Sequence, residues 1–368
     1  MEKIEFDKYK LEIRSECLAL GREIRHKQLI EFRESIPKIK DILENNSLNF
    51  EKWFKSYQNM INFGSRKILS ISKKENLLEI VYRNNAKGVS KTFKTNFPCK
   101  IPIDQDFQYF FGLWIGDKAG GGRFGVMNKE KSIIFFVRSY LEKLYQKPEM
   151  VLHVHSENLP NLEYNYDKLV RINSIRNGYA ISTHSINGIF KSFFKYLEQD
   201  LDLFLDLIPN KSIFFAGLFD AEGNVFLEDS CFRWSSNNKI NIPIFIKHLK
   251  SLDLFKRFDG SNLVTNNKNI FSDNILPYIK HPSKINDAKL VCYGEGFLNE
   301  RFKTILRHIC LNPGISSKQT AQALKRVKVS SQILFLNKHK YIERRGYPFK
   351  MYITTKGAAS LSPGGKDL

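Results

Sequence analysis

Two acids stand at the ends of two similar apolar runs. Phe110–Lys118 reads FFGLWIGDK, and Phe215–Gly223, 105 residues later, reads FAGLFDAEG. Gly112 and Gly116 lie four apart in the first run, and Gly217 and Ala221 lie four apart in the second. The acid follows the first glycine by five residues both times, at Asp117 and Glu222. On a helix, small residues at i and i+4 form one flat stripe. Two such stripes let helix backbones approach unusually closely, as small-xxx-small pairs do in membranes. That packing would bring Asp117 and Glu222 together at the helix ends. A carboxylate there opposes the helix dipole. Two neighbouring carboxylates also repel, so one takes a proton unless a cation intervenes. Divalent ions, Mg²⁺ or Mn²⁺, held between Asp117 and Glu222 would resolve both conflicts. They would also provide an activated water and a stabilised leaving oxygen for phosphodiester hydrolysis.

These residues carry a family likeness. FAGLFDAEG resembles the repeated motif of the LAGLIDADG homing endonucleases, and FFGLWIGDK is similar to its degenerate GLxxGD form. The spacing is similar to the single-chain form, in which two pseudo-symmetric halves share one polypeptide. The resemblance covers roughly Asp104 to Lys289, about half the chain. It implies an α+β fold in which two αββαββα repeats make a DNA-binding saddle, with the motif helices as the seam. It also implies a monomer with internal pseudo-twofold symmetry. Strand side chains of the concave face would read the major groove, which admits a two-stranded ribbon. On that basis Arg123, Arg171, Asn173, Arg176, Arg233, Ser235 and Asn237 are candidate groove or phosphate contacts. Lys284, in IKHPSK, lies where family members often carry a lysine near the site. There it would polarise the attacking water or offset charge in the transition state. Asp117, Glu222 and Lys284 are thus the candidate catalytic set, and Asp117 and Glu222 the candidate metal ligands.

The chain departs from the motif in three places. Ile115 replaces the first acid of the motif, which has a counterpart in the second copy as Asp220; Asp220 is read as capping or pairing locally. Lys118 replaces the glycine after the acid. Its ammonium either competes with a cation beside Asp117 or binds the scissile phosphate. The first half has no clear equivalent of Lys284; Lys191 and Lys195 are weak substitutes. His281 has no ligand-spaced partner and is read as structural.

The surrounding text sets the expected elements. Residues 1–97 form an accessory unit, helical and amphipathic to about residue 65, with Leu11, Ile13, Cys17, Leu18, Leu20 and Ile24 on one face. Three strands follow, in ILSIS, LLEIVY and KTFKT. The basic residues Lys87, Lys91 and Lys94 leave open a DNA-contacting role for this unit. Residues 98–205 form repeat 1. Asp104 is the expected N-cap of the first motif helix. A strand, an amphipathic helix over NKEKSIIFFVRSYLEKLYQ and two strands follow, with Asn177-Gly178 as a hairpin turn. Residues 206–292 form repeat 2, with a hairpin turning near Asp229-Ser230.

Residues 293–368 form a separate module. Between 299 and 356 there are 13 Lys/Arg against two acids, Glu300 and Glu343. Three helices are expected, over NERFKTILRHICLNP, ISSKQTAQAL and KVSSQILFLNKHKYI. The second is capped by Ser316 or Ser317, with a glutamine in capping-box position. A hairpin turning at Gly346 closes the module. The pattern resembles a winged helix-turn-helix domain. Ser330, Ser331, Gln332 and Asn337 are its candidate base readers, and Arg344, Arg345 and Lys350 its wing contacts. A protein-binding winged helix is the alternative.

Charge narrows the partner. The 368 residues carry 58 Lys/Arg against 38 Asp/Glu, a net charge of +20. Such self-repulsion is best explained by a polyanionic partner: double-stranded DNA first, RNA second. No apolar run approaches membrane-spanning length. The five scattered cysteines, with no CxxC pair, fit a reducing compartment. The chain therefore reads as a cytoplasmic, nucleoid-associated protein without a membrane partner. The leading expectation is a metal-dependent endonuclease making staggered double-strand breaks. A non-cleaving DNA-binding regulator and an RNA-binding intron maturase are the alternatives.

Overall fold

The computed structural model describes residues 36–62, 66–84, 90–120, 123–155, 160, 162–172, 178–227, 229–235, 240–293, 298, 300–326 and 329–361. The chain is a mixed α+β protein with several small sheets. It divides into two compact units: residues up to Asp104 with Leu141–Lys147, and Gln105–Tyr140 with Pro148–Leu368. The expected helical face of Leu11 to Ile24 and the position of Lys87 lie outside the described residues.

In the first unit a single turn, α1 (Ile39–Ile42), leads into β1 (Leu43–Glu44) and β2 (Ser47–Asn49), so the text up to residue 65 is not wholly helical. The turn between them places Asn45 and Asn46 at positive φ, where asparagine is tolerated. Helix α2 (Phe50–Asn62) and three long antiparallel strands follow: β3 (Arg66–Lys74), β4 (Leu77–Asn84) and β5 (Lys91–Pro98). Strand β6 (Lys100–Pro102) pairs back onto β2. Alternation in β4 buries Leu78, Ile80 and Tyr82 on one face. Phe50, Trp53, Phe54 and Phe97 fill the core, with Phe50 and Phe97 stacked at 4.9 Å.

The second unit is organised around two helices that are apolar on all sides, α3 (Gln105–Gly116) and a later one over Lys211–Glu222. Phe107 to Trp114 are all buried, which is how a helix hydrophobic all round must sit. After α3 comes β7 (Phe124–Asn128), then α4 (Lys131–Lys143), β8 (Glu149–Val154), β9 (Lys168–Arg171) and β10 (Tyr179–Ser185). Helix α5 (Gly188–Gln199) ends at Asp200, and α6 (Leu201–Leu207) begins directly after it. Helix α7 (Lys211–Glu222) follows, capped by Asn210, which accepts the Ser212 N–H. Ser212 to Asp220 are all buried.

Helix α7 runs straight into β11 (Gly223–Phe226). Then come β12 (Cys231–Ser235), α8 (Ile242–Ser251), β13 (Arg257–Phe258), β14 (Asn262–Thr265), α9 (Lys268–Asn274) and α10 (Pro282–Tyr293). The expected turn near Asp229-Ser230 is present, with Ser230 at positive φ.

The two four-stranded sheets run β7-β10-β8-β9 and β11-β12-β14-β13. In the first, an isolated antiparallel bridge, Lys118↔Val126, extends the sheet beyond β7. Met127 N–H donates to the Asp117 carbonyl at 2.9 Å beside it. If that bridge is taken as a shrunken edge strand, both sheets place their fourth strand between the second and the third. Strand β9 is then an addition. The expected β9/β10 hairpin does not form: β9 pairs in parallel with the far edge of β8, and β8 separates it from β10. Local turn chemistry marked the reversal at Gly178 but not the partner that each strand would find.

The seam between α3 and α7 is the tightest contact of the unit. A Cβ on Gly112 would stand 1.9 Å from the Phe214 carbonyl oxygen, and one on Gly217 would stand 2.1 Å from the Tyr109 carbonyl oxygen. Phe214 precedes Gly217 by three residues, and Tyr109 precedes Gly112 by three. The two contacts are therefore reciprocal. One turn on, a Cβ on Gly116 would lie 2.4 Å from that of Ala221. The small stripes meet as their spacing required.

The C-terminal segment comprises α11 (Glu300–Leu311), α12 (Ser317–Ala323), α13 (Ser330–Lys338), the antiparallel pair β15 (Ile342–Arg345) and β16 (Lys350–Ile353), and α14 (Thr355–Ala359). Ser316 and Gln319 form the expected capping box on α12. Phe302, Ile305, Ile333, Phe335 and Leu336 make its core.

The seam yields a stability test. Gly112→Ala or Gly217→Ala forces a methyl into backbone and should cost about 3 kcal/mol or more, at the upper end of overpacking effects. Gly120→Ala, whose Cβ meets nothing within 4 Å, should be near neutral in the same denaturant titrations. Equal stability of all three variants would refute the tight seam.

Candidate functional site

Asp117 follows directly on α3, and Glu222 is the last residue of α7. The stripe contact beside them is close: a Cβ on Gly116 would lie 3.0 Å from Glu222 Cγ. The two acids sense each other. Burial first, and then the Glu222 charge, push the Asp117 carboxyl up to about 7, against the opposing effects of Asn128 and Lys284. Burial likewise raises Glu222, with Lys284 opposing. Asn128, at the end of β7, donates its amide N–H to Asp117 Oδ2 at 2.9 Å and fixes that carboxylate.

Lys284 lies in the first turn of α10. Its ammonium donates to the carbonyls of Phe219 at 2.7 Å and Asp220 at 2.8 Å. These are last-turn carbonyls of α7, where a cation complements unpaired oxygens and the dipole. Burial lowers the Lys284 pKa, while Asp220, Asp117 and Glu222 pull it back up. The expected lysine therefore does stand among the acids.

Asp220 has a role that reaches well beyond its own turn. Buried at 1 % exposure, its Oδ2 accepts the Tyr109 hydroxyl at 2.5 Å and the backbone N–H groups of Lys280 at 2.6 Å and His281 at 3.3 Å. It ties the strap that carries Lys284 to both central helices. The Lys280 ammonium also lies over the Tyr109 and Phe136 rings, at 5.0 and 4.7 Å. His281 contributes its backbone N–H to this strap, and its ring meets Ser283 Oγ at 3.1 Å.

An open cleft of about 410 Å³ lies against this cluster, lined among others by Asn128, Tyr179, Glu222, Asn224, His281 and Lys284. The carboxylates of Asp117 and Glu222 are hard oxygen donors, the type that suits Mg²⁺ or Mn²⁺ over soft metals. Asp117 and Glu222 therefore fit such an ion. Another group, Asp202, Asp206 and His248, also brings ligand atoms together. It is a knot of ion pairs instead: Lys247 contacts Asp202 at 2.8 Å and Asp206 at 2.9 Å, and Lys211 reaches Asp206 at 3.1 Å.

Lys118 does not crowd Asp117 with a free charge. Its ammonium pairs with Glu198 of α5 and lies 4.6 Å from the centre of the Trp114 ring. That partner is 80 residues away and carries no signal beside the motif.

The remaining expected contacts fall into several groups. Asn173, Arg176 and Asn237 lie outside the described residues. Arg171 is exposed at the end of β9. Arg123 is half-buried, and its charge helps burial to push His184 down to about 4 and to lower His153. Arg233 and Ser235 do lie on the face of β12 opposite the buried Phe232 and Trp234. Arg233 is locally engaged, however, paired with Asp229 and stacked 3.5 Å from the Phe226 ring centre. Ser235 donates to Asn262 Oδ1 at 2.7 Å. Cross-strand pairing adds Asn224 and Arg257 to the Arg233 row, two residues that the sequence reading missed.

In the C-terminal segment Ser331 and Asn337 are partly exposed on α13, but Gln332 is buried and cannot read a base edge. The helical period turns it inward beside Ile333. Arg344 is half-buried, whereas Arg345 and Lys350 are exposed. No helix among the described residues is long and apolar enough to cross a membrane.

Comparison with protein-family models, with curated proteins and with solved structures finds no match to this chain.

The acid pair makes a pH test. Asp117 has a folded pKa of about 7 against an ordinary 3.8, so the folded state binds the extra proton between those values. Stability from this group is greatest at low pH and is lost as pH rises toward 7. Without divalent metal, Asp117→Asn should gain stability relative to wild type between pH 4 and pH 8 in paired urea titrations. A constant difference across that range would contradict the buried, coupled acid.

Proposed function

We propose that this chain is a DNA-binding protein of the LAGLIDADG type, with two pseudo-symmetric repeats and a winged helix-turn-helix module, and that it cleaves duplex DNA. The observation that carries the reading is the reciprocal seam, which sets Asp117 and Glu222 side by side at the ends of two matching helices. With the Lys118↔Val126 bridge counted as an edge strand and β9 as an addition, the two sheets share one strand order, which supports two related halves. The three helices and basic hairpin after residue 299 support the winged module, and the net charge of +20 supports a polyanionic partner.

In this reading Asp117 and Glu222 would hold Mg²⁺ or Mn²⁺, which would supply activation of a water and stabilisation of the leaving oxygen. Asn128 orients the Asp117 carboxylate. Lys284 holds positive charge against the phosphoryl oxygens as they gain negative charge. Asp220 and Tyr109 keep the Lys284 strap in register with both acids. Arg257, Arg233 and Asn224 on the second sheet, and Arg345, Lys350 and Ser331 in the C-terminal module, meet the duplex.

The test is cleavage of a pooled genomic library containing the native target, with Mg²⁺ or Mn²⁺ present. Wild type should give discrete staggered breaks with 5′-phosphate and 3′-hydroxyl ends, and Glu222→Gln none. Lys284→Met should lower the cleavage rate by about 10²-fold or more, the size of effect seen when one transition-state charge partner is removed. Its duplex affinity should be little changed. Tight duplex binding by wild type without breaks would replace the nuclease with a regulator on the same scaffold.

A further inference from the structure

The apex of the β15–β16 hairpin carries chemistry that phosphate contacts do not require. The turn is Gly346-Tyr347-Pro348-Phe349, with Gly346 at φ 69° and open space around it. Tyr347 is 92 % exposed, the most exposed of the large apolar side chains described, and Phe349 is 46 % exposed. A single exposed apolar residue is ordinary on any surface. Its setting here is not. Phe349 is taken up by Arg344, whose guanidinium lies 4.0 Å from the ring centre. Arg345 is likewise placed 4.9 Å from the Tyr352 ring and paired with Glu343. Tyr347 touches Phe349 edge-on, with centroids 5.9 Å apart and planes at 81°. At 92 % exposure the Tyr347 ring stays open to solvent in that contact. The result is one flat aromatic surface at the tip of a cationic ribbon, with Arg344, Arg345 and Lys350 behind it.

We infer that Tyr347 stacks on a nucleobase that is out of its pair, so that the hairpin recognises locally unstacked duplex DNA. The inference rests on the nucleic-acid reading above and goes beyond it, because wing cations alone would grip any phosphate backbone. A ring flanked by cations complements a base, which offers a flat face beside its own anionic phosphate. One ring can cover one base. Wedging it into an intact stack costs unstacking energy, a cost already met where a base is mismatched, bulged or flipped. The partner is therefore a duplex with an extrahelical base. A protein surface is disfavoured by the ring of like charges around so small an apolar tip.

The experiment uses the full chain, without divalent metal, and fluorescence anisotropy on two short duplexes of arbitrary sequence. One duplex is intact and the other carries a single bulged thymine. Wild type should bind the bulged probe about tenfold more tightly, the scale of one base–aromatic stack. Tyr347→Ala should bring that ratio to about one, and Tyr347→Phe should keep it. Arg344→Ala combined with Lys350→Ala should weaken both probes together and flatten the salt dependence. Equal wild-type affinity for the two probes, or a ratio that survives Tyr347→Ala, would overturn the stacking role while leaving duplex binding intact. Failure of wild type to bind either probe would overturn the nucleic-acid reading, and the stacking role with it.

Discussion

Everything in the second unit depends on how closely the backbones of α3 and α7 approach. There is no room for a Cβ at Gly112 or Gly217, because each faces a carbonyl oxygen of the other helix. Side chains are thereby excluded from the seam and forced outward, where Phe110, Phe111, Phe214, Phe215 and Phe219 build a core on either side. The same closeness puts the two helix ends, and the acids they carry, within reach of one electrostatic environment. A single intruding methyl would consume a sizeable share of the roughly 5–15 kcal/mol that holds a domain folded.

The price of the seam is electrostatic. Asp117, Asp220 and Glu222 are all pushed above the usual carboxylate range, and the Lys284 ammonium is pushed below its own. Burial is the leading cause in each case. The protein offsets part of this with directed bonds: Asn128 on Asp117, Tyr109 and two backbone N–H groups on Asp220, and two helix-end carbonyls under Lys284. Glu222 has only the Lys284 charge to oppose its burial. Raised acids beside a cleft are a feature that functional sites share with structural ion-pair networks.

Much of this was legible in the sequence because it follows from local spacing. The glycine stripes, the acids five residues beyond them, the capping box at Ser316 and the turn at Gly346 are all set by residues within one or two helical turns. What was hidden depends on partners far along the chain. The Glu198 that neutralises Lys118 lies 80 residues away, and the Lys280 strap that Asp220 holds lies 60 residues away. Strand β9 joins the sheet through a parallel pairing that no turn residue encodes. Gln332 sits in polar text but on the inward side of α13, where helix phase outranks residue type. Asn128 carried no signal at all, since asparagine at a strand end is common.

Both acids sit where a core helix hands over to the edge of its own sheet: Asp117 at the bridge to Val126, and Glu222 at the start of β11. Trp234 pairs with Gly223 next to Glu222, and Tyr179 and Ser235 line the cleft beside it, so the start of β10 and the end of β12 lie on the same side as the acids. The acid pair and these two strand ends thus share one border of the cleft, and a change of length or charge there would be felt at the acids.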